Sequence, residues 1–92
     1  MALTITFTSV NMTTAKYDEV IRQLDAAGAG APSGRLFHTC FGPPAALRVV
    51  DVWASQAQFE AFGAVLMPIL AGLGVDAGAP DVQPQHNSIV GK

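Results

Sequence analysis

The chain has 92 residues, half of them apolar and only 13% charged. A single domain of this length buries only about 60% of the surface that its unfolded chain exposes, so it is marginally stable without a partner. The net charge of −2, with only five Lys and Arg, argues against the basic surface that nucleic-acid binding requires. We therefore expect one domain over residues 1–92 that buries apolar surface against a second copy or a small ligand.

The cysteine content and the hydropathy of the chain indicate in which cellular compartment the protein lies. Cys40 is the only cysteine, which excludes a disulfide within the chain and fits a reducing cytoplasm. Residues 1–10 lack the basic start and apolar run of a signal peptide. The longest uncharged apolar run, residues 61–75, is too short to span a bilayer. We therefore expect a cytoplasmic location and no association with membranes.

The N-terminal third of the chain predicts a strand followed by a helix. Apolar residues alternate with threonines over residues 3–8, and this period of two is typical of a strand with one face in a core. Apolar residues at helical spacing follow, with a helix start at Thr13 or Thr14. Gly28 and Gly30 are predicted to end this helix.

The middle of the chain predicts an antiparallel hairpin made of residues 34–41 and 47–53. Its connection contains prolines at positions 43 and 44, and proline cannot take the positive φ of a two-residue type I′ turn. A longer loop is therefore expected.

Two titratable residues of this hairpin are predicted to lie close together. The simplest register places residue 41 opposite residue 46, so that Leu36 faces Asp51 and His38 lies diagonal to Asp51. A carboxylate buried under the helices needs a partner, and His38 is the nearest candidate. Such a histidine can act as a general base near neutral pH. A structural or solvent-exposed His–Asp pair is the alternative.

The last third of the chain predicts a second helix and a final strand. Ser55 and Gln58 form a predicted capping box, in which each side chain satisfies one free backbone N–H at the helix start. Glu60 is the only charge of this helix, so we expect the helix to be buried on more than one side. Residues 82–90 predict a strand, and Pro84 within it indicates an edge position or a bulge.

The element order is therefore strand, helix, strand, strand, helix, strand. Two such strand–helix–strand units predict an α+β fold, the ferredoxin-like βαββαβ plait, with a four-stranded antiparallel sheet and both helices on one face. The sequence contains no phosphate loop, dinucleotide fingerprint or serine elbow. With two histidines and one cysteine it offers no spacing for a zinc site. We expect neither a metal nor a cofactor.

The stretch from Arg48 to Phe59 carries a resemblance to a known family. A third strand that ends in Trp53, followed by a helix that starts at a serine, resembles the antibiotic biosynthesis monooxygenase family of the dimeric alpha+beta barrel superfamily. The resemblance implies a homodimer whose two sheets pack open face to open face into a barrel, with a pocket between sheet and helices. It also implies cofactor-independent oxygenation of planar aromatic or polyketide-like substrates, with Trp53 as the pocket tryptophan.

The chain departs from the family at three positions. The haem-degrading members use an Asn on the first strand and a His on the second helix, but residues 3–8 contain no Asn and residues 55–72 contain no His. The polyketide monooxygenases carry an Asn four residues before the tryptophan, where this chain has Val49. A non-catalytic dimeric module that binds a ligand or has a structural role is therefore the alternative function.

The aromatic residues near Trp53 and the two histidines together predict a mainly apolar cavity with few polar contacts. Its walls are predicted to be Trp53, Phe59, Phe62, Leu66 and Tyr17. Its polar contacts are predicted to be His38 and His86, and the candidate catalytic residues are His38, Asp51 and His86. Packing of Trp53 in the core and edge-strand polarity of His86 are the simpler explanations for these two residues.

Overall fold

The structure, a computed structural model that describes residues 2–91, contains four strands and two helices. These are β1 (Leu3–Thr8), α1 (Thr14–Ala26), β2 (Arg35–Phe41), β3 (Arg48–Trp53), α2 (Gln56–Gly72) and β4 (Asp81–Pro84). All neighbouring strands are antiparallel, and their order across the sheet is β2-β3-β1-β4. The predicted ferredoxin-like βαββαβ plait is confirmed.

Both helices begin at a side chain that accepts a backbone N–H. Thr13 caps α1 by accepting from Lys16, and Ser55 caps α2 by accepting from the N–H of Gln58 at 3.2 Å. The other half of the predicted capping box is wrong, because the amide oxygen of Gln58 accepts from the Ser55 hydroxyl instead and its amide nitrogen faces Ser33. Neither helix is long and apolar enough to cross a membrane, among the residues described.

The core lies between the helices and one face of the sheet. Ile5 of β1 and Trp53 of β3 are fully buried there. Buried side chains of both helices pack on them: Val20 and Leu24 from α1, and Phe62 and Leu70 from α2. One helix pair therefore covers one sheet face and leaves the other face open.

The open face of the sheet is apolar on its β2–β3 side. Phe37 and Phe41 are 54% and 42% exposed on β2, and they pair with β3 next to half-buried valines at positions 50 and 52. Threonines of β1 continue this face. No element within residues 2–91 covers it, which is unusual for an apolar surface of this kind.

The last strand is much shorter than predicted. β4 ends at Pro84 instead of residue 90, because Pro84 pairs with Leu3 at the beginning of β1 and the ladder then runs out of partner. Residues Ile89 and Val90 are almost fully exposed. The predicted edge position of Pro84 is confirmed, since β4 is the outer strand beside β1.

Candidate functional site

The hairpin register places His38 directly opposite Asp51. The predicted register, with Leu36 facing Asp51 and His38 diagonal to it, is wrong by two residues. A turn closed by the N–H of Ala46 and the carbonyl of Pro43 lengthens the loop, so that residue 41 pairs with residue 48. The pairing of His38 with Asp51 is therefore closer than the sequence predicted.

A β-bulge at the start of β2 brings Arg35 to the same side of the sheet as His38. On a regular strand, residues three apart point to opposite faces. Here the pairing is irregular between Arg35 and Phe37, and Leu36 is exposed. Arg35 consequently pairs with the buried Trp53, and both Arg35 and His38 line the space under the helices.

Four side chains form a continuous line of hydrogen bonds under the helices. The hydroxyl of Tyr17, on α1, lies 2.6 Å from Nε2 of His38. Nδ1 of His38 lies 2.5 Å from Oδ1 of Asp51. The indole N–H of Trp53 donates to the other carboxylate oxygen, Oδ2, at 3.3 Å. This line runs from the centre of the core at Trp53 to the half-buried ring of Tyr17.

The partners assign the proton positions in this line. Asp51 is only 3% exposed, and its ionised carboxylate can only accept, so His38 donates from Nδ1 and Trp53 donates from Nε1. In the neutral imidazole, Nε2 is then the acceptor and receives the O–H of Tyr17. The arrangement places the Tyr17 hydroxyl on an imidazole nitrogen whose ring is held by a buried carboxylate.

Burial controls the ionisation of the phenol and of the nearby thiol. Burial raises the pKa of Tyr17, Cys40 raises it further, and the positive charge of Arg35 opposes them. Burial likewise raises the pKa of the Cys40 thiol. Both groups therefore stay protonated at neutral pH, and Tyr17 contacts His38 as a neutral donor.

A mainly apolar cavity of about 60 Å³ lies where this line of hydrogen bonds ends. It includes five of the predicted site residues: Tyr17, His38, Asp51, Phe62 and Leu66. The space suffices for a few water molecules, but a drug-sized ligand needs roughly 300 Å³ or more. An aromatic ligand therefore requires lining side chains to move.

Three of the predicted site residues do not line the cavity. Trp53 is fully buried behind the wall, with its ring centroid 5.3 Å from that of Phe62 and 5.8 Å from that of Phe59. Phe59 packs between Trp53 and Phe7 and does not line the space. His86 is exposed on the segment beyond β4, because that strand ends before it.

The sequence does not indicate Arg35 or Val49 as residues of the cavity, and it does not indicate one of the contacts beside it. Arg35 was not a candidate, because strict alternation along β2 places it on the face opposite His38. In the sequence Val49 stands out only as a departure from the family, whereas in the structure it lines the cavity. The contact between Tyr17 and His38 joins residues on different elements, so no local spacing could predict it.

The part of the chain that the structure describes contains no group of three or more His, Cys, Asp or Glu side chains that could hold a metal ion. The titratable and charged side chains that line the cavity are a histidine, a phenol, a carboxylate and a guanidinium.

The chain has no match among protein-family models and no significantly similar curated sequence. Solved structures are similar in fold. SnoaB, a cofactor-independent oxygenase from Streptomyces nogalater, is 16% identical with a TM-score of 0.63, covering 96% of this chain and 94% of SnoaB. A protein from Chloroflexus aurantiacus, provisionally named an antibiotic biosynthesis monooxygenase, is 14% identical with a TM-score of 0.64, covering 99% of this chain and 100% of that one.

A protein from Caulobacter crescentus with the same provisional name is 20% identical, with a TM-score of 0.57 over 89% of this chain and 86% of that one. Identities this low establish the fold and not the reaction. The family resemblance of the sequence is confirmed for the fold alone: the chain has the fold of the antibiotic biosynthesis monooxygenase-like proteins.

Proposed function

We propose that the protein binds a small planar aromatic or polyketide-like molecule in the cavity and oxygenates it without a metal or flavin. The observation that carries this proposal is the line of hydrogen bonds from Asp51 through His38 to Tyr17, which ends at an apolar cavity. Pockets for small molecules are typically apolar with a few placed polar groups. A histidine held by a buried carboxylate is a suitable general base.

Oxygenation without a cofactor requires the substrate to supply its own electrons to O₂. Removal of a proton from an acidic C–H or O–H gives an electron-rich anion that can do so. When a methylene between aromatic rings becomes a carbonyl, one oxygen atom enters the product and the other leaves as water with the two methylene hydrogens. In this scheme the proton reaches His38 through the hydroxyl of Tyr17, which contacts Nε2, and Asp51 stabilises the imidazolium that forms.

We further propose that the functional unit is a homodimer. The open sheet face carries exposed Phe37 and Phe41, and the chain has few charges to keep such a surface in water. A second copy packed on this face would bury the apolar surface that a domain of this size leaves exposed. This arrangement agrees with the barrel that the family resemblance implies.

Fluorescence and oxygen uptake test the proposal in two steps. Trp53 is the only tryptophan and contacts the cavity wall through Phe62, so aromatic compounds that bind should change its emission. Compounds that bind are then assayed for O₂ consumption with the protein and its His38→Gln variant. We expect a loss of about 100-fold or more in the variant. His86→Gln is the matched control and should retain full activity, since His86 is exposed.

The alternative is a non-catalytic ligand-binding module, and two observations favour it. Val49 lines the cavity where the polyketide monooxygenases carry an Asn, and the hydroxyl of Tyr17 already occupies Nε2 of His38. Under this alternative, compounds quench Trp53 but none is oxidised, and His38→Gln alters affinity alone. Absence of any quenching across a panel of aromatic compounds would contradict both functions.

A further inference from the structure

Arg35 is the one arginine that the fold turns into the cavity. The bulge at Leu36 is what places it there, because without that bulge Arg35 and His38 would lie on opposite faces of the sheet. Gly34, just before it, has φ of +89° and lies so close to α2 that a side chain would collide with Gln58. The bulge therefore determines the direction of a single charged side chain, and Gly34 lets the backbone pass close to Gln58 just before it.

The guanidinium of Arg35 is held in place but not neutralised. It donates to the carbonyl of Gly30 at 3.1 Å, and its central carbon lies 5.6 Å from the centre of the Phe62 ring. No carboxylate of residues 2–91 forms an ion pair with it. Since guanidinium has five N–H donors, most of them remain available for a ligand.

We propose that Arg35 is the anion-binding group of the cavity and that the site selects planar ligands with an acidic oxygen, phenols and enols, which it binds as their anions. This inference rests on the proposed function, because it specifies the charge of the ligand at that same site. The ligand is then held between a fixed positive charge and the base that removes its proton.

The line of hydrogen bonds accounts for the proton. When a phenolic ligand binds beside Tyr17, the ligand O–H bond breaks and its proton passes to the Tyr17 oxygen, while the Tyr17 proton passes to Nε2 of His38. The imidazolium so formed is paired with the Asp51 carboxylate. The negative charge stays on the ligand oxygen, where Arg35 stabilises it in surroundings that are otherwise apolar.

Electrostatics within the chain supports this placement. Burial raises the pKa of Tyr17, and the positive charge of Arg35 acts in the opposite direction on the same hydroxyl. A charge that acts on a phenol oxygen of the protein at this place would act in the same way on a phenol oxygen of a ligand.

The test uses para-nitrophenol, whose anion is yellow and whose neutral form is colourless. On binding to the wild-type protein, the apparent pKa of this probe should fall, because the anion binds more tightly than the phenol. Arg35→Met should abolish the shift and weaken binding of the anion about tenfold, the loss expected for a charge-assisted hydrogen bond. Nitrobenzene, which has the ring but no acidic oxygen, should bind both proteins equally.

Arg48→Met is the matched control, because Arg48 lies on an exposed part of the neighbouring strand and does not line the cavity. A second readout needs no ligand: Arg35→Met should raise the pKa of Tyr17, the only tyrosine, by ultraviolet titration. If nitrobenzene binds but Arg35→Met leaves the para-nitrophenol shift unchanged, the anion site is wrong and the ligand-binding function stands. If neither nitrobenzene nor para-nitrophenol binds, both the anion site and the ligand-binding function are wrong.

Discussion

His38 and Asp51 face each other across β2 and β3, with Nδ1 and Oδ1 2.5 Å apart and the carboxylate almost fully buried. A buried carboxylate is costly unless donors satisfy it, and here an imidazole and an indole do so. The pair thus supports the core, and it supplies the proposed base of the candidate site.

Asp51→Asn tests the structural role of this pair. Asparagine has one side-chain oxygen, so it can accept from either His38 or Trp53 but not from both in the present geometry. Its NH₂ group then faces the N–H of the other residue, and two donors are left without an acceptor. We expect the free energy of unfolding, measured by urea denaturation, to fall by about 1–3 kcal/mol. Asp81→Asn, at an exposed position of β4, should change it by less than about 0.5 kcal/mol. Equal effects of the two substitutions would contradict the buried network.

Tyr17 makes stability depend on pH at high pH. Burial raises the pKa of Tyr17 in the folded protein above its ordinary value of about 10, so the folded state binds the phenolic proton more tightly than the unfolded state. This contribution is fully present below pH of about 10 and is lost as the pH rises through the folded-state pKa. Ultraviolet titration of the single tyrosine should give a midpoint above that of the protein in denaturant. In Tyr17→Phe, the associated loss of stability should disappear.

Trp53 is predicted to act mainly on stability and only indirectly on ligands. Its ring is fully buried against two phenylalanines, and its N–H satisfies Asp51. Trp53→Phe removes part of the packing and one donor, so we expect a loss of about 2 kcal/mol in urea denaturation. Val10→Ala, at an exposed position, serves as the control. A Trp53→Phe variant as stable as the wild type would show that the indole hydrogen bond contributes nothing.

The open sheet face makes a prediction about association. Val52 lies at its centre, between Thr4 of β1 and Phe37 of β2. We expect wild-type protein to have the mass of two chains in light scattering at micromolar concentration and Val52→Asp to have the mass of one, because two unpaired charges would be buried in the interface. Val65→Asp, on the outer side of α2, should remain dimeric. A monomeric wild type would contradict the proposed homodimer.

The sequence by itself determined the element order and the type of each element. The alternation over residues 3–8, the helix start at Thr13 or Thr14 and the cap at Ser55 depend on neighbours within a few residues, so local spacing predicts them. Pro84 indicated an edge position or a bulge, and the strand lies at the edge. The extent of β4, by contrast, does not follow from local spacing. A strand ends where its partner ends, and the partner of β4 is β1, at the other end of the chain.

Only the tertiary structure decided how the site is assembled. The register of the hairpin depends on the exact length of its loop, and a shift of two residues changed which side chain faces Asp51. The bulge at Leu36 reversed the direction of Arg35, and no alternation of residue types signals it. The contact between Tyr17 and His38 requires α1 to pack at one particular place on the sheet. Such relationships arise from packing over long sequence separations, which local patterns do not encode.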